Sequence, residues 1–221
     1  WFQHMDINRI PFYQYNTIIV GTGAAGLNAA VTLHKLGQKN IALITEGRYM
    51  GTSRNTGSDK QTYYKMTQCG SEPDSVRKMA KTLFEGGCVD GDIAMAEAAG
   101  SLRAFYHLVD IGVPFPFNKS GEYVGYKTDH DPLKRGISAG PLTSKYMTEC
   151  LERQAEERGI PFFDGYQAVR LLTEEKDGEK RAAGIIALNK QKAASPDERY
   201  AVFSAVNIIW ATGGEAGMYQ A

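Results

Sequence analysis

Apolar positions along this chain switch between two periods. Thr17-Ile18-Ile19-Val20 is a short continuous apolar run, which predicts a strand buried on both faces. Ala25, Ala29, Leu33 and Leu36 then recur at helical spacing, and Gly37 closes that helix. Asn40 to Glu46 reads as a second strand, completing one βαβ unit of about 30 residues. Ahead of it, residues 1–15 carry Phe2, Phe12, Tyr13 and Tyr15 without a period. They are expected to form an N-terminal extension packed on the surface of the main domain, residues 16–221.

Residues 47–72 are rich in Gly, Ser, Thr and Asn and have no useful period; a loop this long inside a domain points to function or disorder. Helices are predicted from Asp74 to Glu85 and from Asp92 to Asp110, the second with Leu102, Phe105, Tyr106 and Val109 on one face. Residues 113–141 read as a second long loop or small hairpin. Thr143 or Ser144 can cap a helix through Arg158, with Tyr146, Met147, Cys150, Leu151 and Ala155 as its buried stripe and Gly159 as its stop. Strands follow at Ile160–Phe163, Ala168–Leu172, Ala182–Asn189 and Tyr200–Phe203, the last three a β-meander with polar turns. A final strand, Ala205 to Trp210, is expected to re-enter the main sheet.

Composition adds exclusions. The 25 basic and 25 acidic residues cancel, leaving no electrostatic footprint for nucleic acid. No apolar run approaches the ~20 residues of a membrane span. Cys69, Cys88 and Cys150 include no CxxC pair, which argues against a disulfide framework or a metal site and fits a reducing, cytoplasmic compartment. Cys150 reads as a core helix residue. The first residue is Trp1, not Met, and the chain is expected to be the front part of a longer protein.

The chemistry sits in two glycine turns. Gly21-Thr22-Gly23-Ala24-Ala25-Gly26 follows the first strand and opens the first helix, the context a dinucleotide fingerprint requires. Gly21 permits the tight turn, Gly23 lets a pyrophosphate approach the backbone, and Gly26 lets helix and strand pack closely. The helix N-terminus offers its N–H groups to the phosphates. Glu46, about 20 residues on, is placed to accept hydrogen bonds from a ribose hydroxyl, and an acidic residue there argues against a 2′-phosphate. At the other end, Ile208-Ile209-Trp210 runs into Ala211-Thr212-Gly213-Gly214. A meander followed by one strand ending in Thr-Gly-Gly separates FAD from a plain nicotinamide domain.

With these residues in view, the chain resembles the N-terminal part of the fumarate reductase/succinate dehydrogenase flavoprotein family, which includes L-aspartate oxidase and the flavin-dependent ketosteroid dehydrogenases. The resemblance runs from residue 16 to the end. It rests on Ile18 to Leu27, Glu46, the Ser/Thr/Gly loop, Gly112-Val113-Pro114-Phe115, the stretch around Gly159-Ile160-Pro161, and Ala211 to Gly214. It implies an α/β, Rossmann-like FAD-binding domain with a central parallel sheet plus a β-meander, the N-terminal fragment of a two-dinucleotide-domain flavoprotein. It also implies FAD contacts from Gly51, Thr52, Ser53, Asn55, Thr56 and Gly57, and a backbone contact to adenine near Ala168. Some members attach FAD through a histidine in this loop. None of His4, His34, His107 or His130 lies there, so FAD is expected to be non-covalent.

Two departures from the family pattern bear on substrate: Met50-Gly51 stands for a double glycine, and Lys60-Gln61-Thr62-Tyr63-Tyr64 replaces small residues. The catalytic His and Arg residues of fumarate reductases are expected beyond Ala221, in a capping domain and later sequence, so no catalytic residue is named. Thr128 to Arg135, with His130 and Arg135, reads as a polar surface loop. The expected activity is FAD-dependent hydride transfer between flavin N5 and a small organic substrate, with room for an electron-transfer partner subunit. The competing readings are a non-catalytic FAD-binding module, and a tRNA-modifying or sulfur-metabolism flavoprotein of the same architecture.

Overall fold

The computed structural model describes residues 9–58, 61–68, 73–129 and 131–214. The chain forms two compact units, one of residues 1–55 with 151–221 and one of residues 56–150.

The first unit is built on one six-stranded sheet. Its strands are β1 (Phe12–Val20), β2 (Ile41–Thr45), β5 (Phe162–Asp164), β6 (Tyr166–Lys176), β7 (Glu179–Asn189) and β8 (Tyr200–Trp210), in the spatial order β5-β2-β1-β8-β7-β6. Four strands, β5, β2, β1 and β8, run parallel. The strands β6, β7 and β8 form the antiparallel meander, so β8 belongs to both parts. Helix α1 (Ala24–Lys35) joins β1 to β2. Ile18, Ile19, Ile41, Leu43 and Ile44 are wholly or almost wholly buried, as the unbroken apolar runs require.

Three differences from the sequence reading have physical causes. Residues 12–15 are the front half of β1 rather than a surface extension. Tyr13 and Tyr15 cover the sheet's aromatic group: the Tyr13 ring stacks on Phe203 at 4.9 Å and meets Phe163 edge-on at 4.7 Å. Aromatic side chains alternating with Phe12 and Gln14 carry a strand signal through bulk, even where the polar ends of the rings blur the period. Second, the segments 200–203 and 205–210 are one strand. Ser204, which interrupts the apolar run, stays in register between Gly184 and Gln14. Third, β6 and β7 extend far past their apolar portions. Asp177 and Gly178, both at positive φ, close them with a two-residue turn, and the charged residues flanking it are exposed hairpin, not loop.

The second unit pairs α3 (Val76–Glu85) with α4 (Gly91–Asp110). Ser75 caps α3 by accepting from the Lys78 N–H, and Asp90 caps α4 by accepting from Asp92 and Ile93. Met79 and Ala80 pack on Ala94 and Ala98 between them. The long loops are tied by a short antiparallel pair, β3 (Tyr63–Tyr64) with β4 (Gly136–Ile137). Helix α5 (Thr143–Glu157) contributes residues to both units, and its Cys150, Leu151 and Ala155 are buried as expected. Thr143 closes the turn before α5, donating to the Gly140 carbonyl and accepting from the Ala139 N–H. Cys88 is exposed, and Cys69 and His130 lie outside the described residues.

Asp129, Pro132 and Lys134 are exposed, as a polar surface loop requires, but Asp131 and Arg135 turn inward. Arg135 is fully buried and forks onto Asp74, with Nε to Oδ2 at 2.9 Å and Nη2 to Oδ1 at 2.7 Å. Asp131 is buried beside it. Asp74 is subject to opposing influences: burial raises its pKa, but Arg135 and the backbone N–H groups of Thr67 and Ser75 hold it below its ordinary 3.8. A depressed carboxylate stabilises the fold fully above 3.8, and that contribution disappears as pH falls through the folded value. Arg135→Met should leave two buried carboxylates uncompensated and cost about 3–5 kcal/mol at neutral pH. Urea denaturation followed by circular dichroism measures this, and a loss under about 1 kcal/mol would contradict the buried fork.

Candidate functional site

The carboxyl ends of β1, β2 and β8 meet at one place. Val20 is in register with Ile44 on one side and Trp210 on the other, so both glycine turns leave the sheet side by side. Gly21 donates to the Ile44 carbonyl, and Ala211 donates to the Val20 carbonyl, each at 2.8 Å. This is the point where the chain's crossovers diverge, the position where open α/β sheets bind ligands.

The close approach explains two glycines. Gly21 adopts φ +110°, and a Cβ on it would collide with the Ala211 carbonyl. A Cβ on Gly26 would collide with the Gly21 carbonyl, which lies under the first turn of α1. Gly23 is different. A Cβ there would meet only the Ser53 hydroxyl, at 3.5 Å, so packing does not demand this glycine. Its bare backbone faces the cavity instead.

That cavity has a volume of about 520 Å³, within the ~300–1,000 Å³ range of small-molecule sites. Its walls come from the first glycine turn, the end of β2, residues 50–53, the start of β6 and the exit of β8. The structure thus brings together Gly21, Gly23, Ala24, Ala25, Glu46, Gly51, Thr52, Ser53, Ala168, Ala211, Thr212 and Gly213. Gly26 lies beneath the turn. Asn55, in the short helix α2 (Thr52–Asn55), braces the loop by donating to the carbonyls of Tyr49 and Gly51. Thr56 and Gly57 belong to the second unit, where the Thr56 hydroxyl reaches Ser144 at 3.5 Å.

The two ends of the cavity differ in charge. At one end, α1 begins with Gly23, which has no side chain to cap it, and no acidic residue occupies its first turn. The positive end of the helix dipole and the first N–H groups therefore face the cavity, with the Ala24 N–H near the Ser53 hydroxyl at 3.4 Å. At the other end, Glu46 stands at the tip of β2. Its Oε1 accepts from Lys190 at 2.8 Å, a residue of the short 3₁₀ turn Lys190–Lys192. Tyr166, also on the wall, has its phenol pushed up to about 12, first by burial and then by Tyr13. An anion-attracting helix terminus, a bare glycine backbone and a distal carboxylate fit a dinucleotide lying along the cavity.

Sequence reasoning missed what holds the loop in place. Arg48 pairs with Glu152 and Glu156 of α5, donates from its backbone to Asp164, and stacks over Phe162 at 4.0 Å. Arg54 reaches the other oxygen of Glu152 at 2.5 Å. Burial disfavours the Arg48 charge, but the two glutamates outweigh it and raise its pKa. The signal was present as two arginines in a Gly/Ser loop and two glutamates one helical turn apart, 98–108 residues later. No local pattern links them. Trp210, Gln167, Tyr166 and Lys190 were missed for the same reason.

Comparison with known proteins agrees with this geometry. The family described as "FAD binding domain" matches residues 16–220. The L-aspartate oxidase of Agrobacterium fabrum is 27% identical over 211 residues, covering 93% of this chain and 37% of that protein. The succinate dehydrogenase flavoprotein subunit of Rickettsia conorii is 26% identical, covering 95% and 35%. Among solved structures, E. coli quinol fumarate reductase superposes with a TM-score of 0.78 at 20% identity, covering 95% of this chain and 34% of that one. The chain spans little more than a third of the length of these relatives. Among the described residues, no helix is long and apolar enough to cross a membrane. With both glycine turns opening into one cavity and the match extending over nearly the whole sequence, the chain belongs to the FAD-binding domain family shared by the L-aspartate oxidase and succinate dehydrogenase/fumarate reductase flavoproteins.

Proposed function

We propose that this chain is the FAD-holding part of an oxidoreductase of fumarate reductase/succinate dehydrogenase type, acting on a small organic substrate by hydride exchange at flavin N5. The observation that carries this reading is the shared cavity of the two glycine turns with Glu46 at its far end. Residues 16–221 would form the FAD-binding portion, and the capping and C-terminal parts, with the catalytic His and Arg groups, would lie in further sequence. An electron-transfer partner subunit is compatible with the relatives named as flavoprotein subunits. The sequence holds no CxxC pair, which is compatible with a reducing cytoplasm.

When bound, FAD supplies the hydride acceptor and donor; the protein's part is binding and orientation. The pyrophosphate would lie on the bare backbone at Gly23 and the N–H groups that open α1, with Ala24 and Ala25 closest. Ser53, Thr52 and Gly51 would cover it from the loop clamped by Arg48 and Arg54. Glu46 would take the ribose hydroxyls, and Lys190 would hold one carboxylate oxygen so that the other is free to accept. Ala168 would offer its backbone to the adenine. Gly213 and Thr212 would close the cavity from the β8 side. Asn55 would keep the loop's shape, and the family resemblance adds Thr56 and Gly57 as cofactor contacts. The nearest described histidine in sequence to this loop, His34, is in α1, which supports non-covalent attachment.

Gly23→Ala and Gly26→Ala separate the two roles. Gly23→Ala should change stability by under about 1 kcal/mol yet weaken FAD by at least ~10-fold, about 1.4 kcal/mol. Gly26→Ala should destabilise the fold itself by about 1–3 kcal/mol. Thermal melting with FAD titration reads both; equal FAD binding by Gly23→Ala and wild type would contradict the pyrophosphate position. Glu46→Gln should weaken FAD by roughly 10-fold through loss of a charge-assisted hydrogen bond. Flavin bands should appear when FAD is added to the purified chain, and acid precipitation should release the pigment to the supernatant. Colour retained in the pellet would overturn non-covalent attachment.

A further inference from the structure

The second unit contains a buried charge cluster with no part in the chemistry above. Arg135, fully buried, contacts Asp74 through two bonds, the Tyr64 hydroxyl at 3.2 Å, the Thr82 hydroxyl at 2.9 Å and Asp131 Oδ1 at 3.3 Å. Asp131 is almost as buried, its side chain 4% exposed. Its other oxygen, Oδ2, is buried and makes no well-formed hydrogen bond among the described residues, although the Asp131 carboxylate lies close enough to the Tyr64 hydroxyl to add to burial in raising that phenol's pKa.

The cluster does not balance. Among the described residues, one guanidinium faces two buried carboxylates, so negative charge exceeds positive there, away from water. An ionised carboxylate only accepts, so Oδ2 calls for a donor or a cation. Asp131, Tyr64 and Thr82 also line a cavity of about 520 Å³, together with Glu85 and Gly86. Those two residues end α3, ten residues long and capped at Gly86, so the negative end of its dipole lies at the cavity. Glu85 adds a carboxylate at the rim, facing Lys81 one turn back at 3.5 Å. Every polar group named on the wall is an oxygen, the chemistry of hard cations. No group of three or more His, Cys, Asp or Glu that could hold a metal ion occurs among the described residues, which disfavours a divalent or transition-metal centre.

We propose that Asp131 and the C-terminal end of α3 form a binding site for a small monovalent cation, an alkali-metal ion or ammonium. The cation completes the coordination of Asp131 Oδ2 and neutralises the Asp74–Arg135–Asp131 cluster. It stabilises the second unit without entering the reaction.

Thermal melting of the intact chain in potassium, sodium, ammonium and choline chloride at equal ionic strength tests this. Choline, too large for the site, is the reference. At least one of the small cations should raise the melting temperature saturably by about 3 °C, and Asp131→Asn should abolish the difference. A response to ammonium alone assigns a nitrogen cation, and a response to potassium or sodium a metal ion. Identical melting in all four salts, or a shift that persists in Asp131→Asn, overturns the proposal. Should Asp131→Asn fail to fold, crystals of the wild-type chain grown with thallium(I) decide the matter. An anomalous peak against Asp131 Oδ2 supports the site, and its absence overturns it.

Discussion

The structure depends on the parallel pairing of one strand, β1, with two neighbours supplied from very different distances along the chain. β2 arrives after a single helix. β8 arrives after the whole second unit and the meander, yet Val20 and Trp210 end in register. That register sets the backbone of Gly21 against Ala211 so tightly that Gly21 accepts no side chain, and Gly26, packed on the Gly21 carbonyl, accepts none either. Everything at the site follows from it: the direction of α1, the shared cavity and the distance between the helix terminus and Glu46. A one-residue slip of β8 would turn its buried face to solvent and move the second glycine turn out of the cavity.

Electrostatics then secures the parts that hydrophobic packing leaves loose. The loop of residues 47–55 is mostly small and polar and has little apolar surface to bury. It is fixed instead by Arg48 and Arg54 converging on Glu152, which is itself buried. A shared buried carboxylate constrains both arginines at once, and the stacking of Arg48 on Phe162 ties the loop to the sheet edge. The second unit uses the same device in Arg135, whose fork onto Asp74 connects the segment after β3 to the segment before β4. In both places an arginine does for a polar segment what a leucine does for a helix.

Much of this was legible in the sequence because its signals are local. The strand–glycine–helix–strand succession from Thr17 to Glu46 carries its own periodicity, and the helix starts expected at Asp74 and Asp92 and the stop at Gly159 fall within a few residues of the observed limits. The lining of the cavity was legible where it used the same signals, in Gly21, Gly23, Glu46 and the Thr-Gly exit. What was not legible was of two kinds. Some elements carried contrary composition: the charged ends of β6 and β7 look like loop, although Asp177-Gly178 is a hairpin turn, and Ser204 splits the apolar run of β8 without splitting the strand. Other features were long-range pairs, such as Arg48 with Glu152 and Glu46 with Lys190, whose residues are ordinary alone and meaningful only together. Arg135 combines both, being a charged residue in a charged stretch that folding buries completely.

The central claim is that the two glycine turns are halves of one FAD site. Hydrogen–deuterium exchange of the intact chain with and without FAD tests it most directly. The account predicts that amides of residues 21–26 and of residues 211–213 gain protection together, over the same range of FAD concentration, with Glu46 and its neighbours following them. Protection confined to the first turn, with the β8 exit exchanging at its unliganded rate, would contradict it.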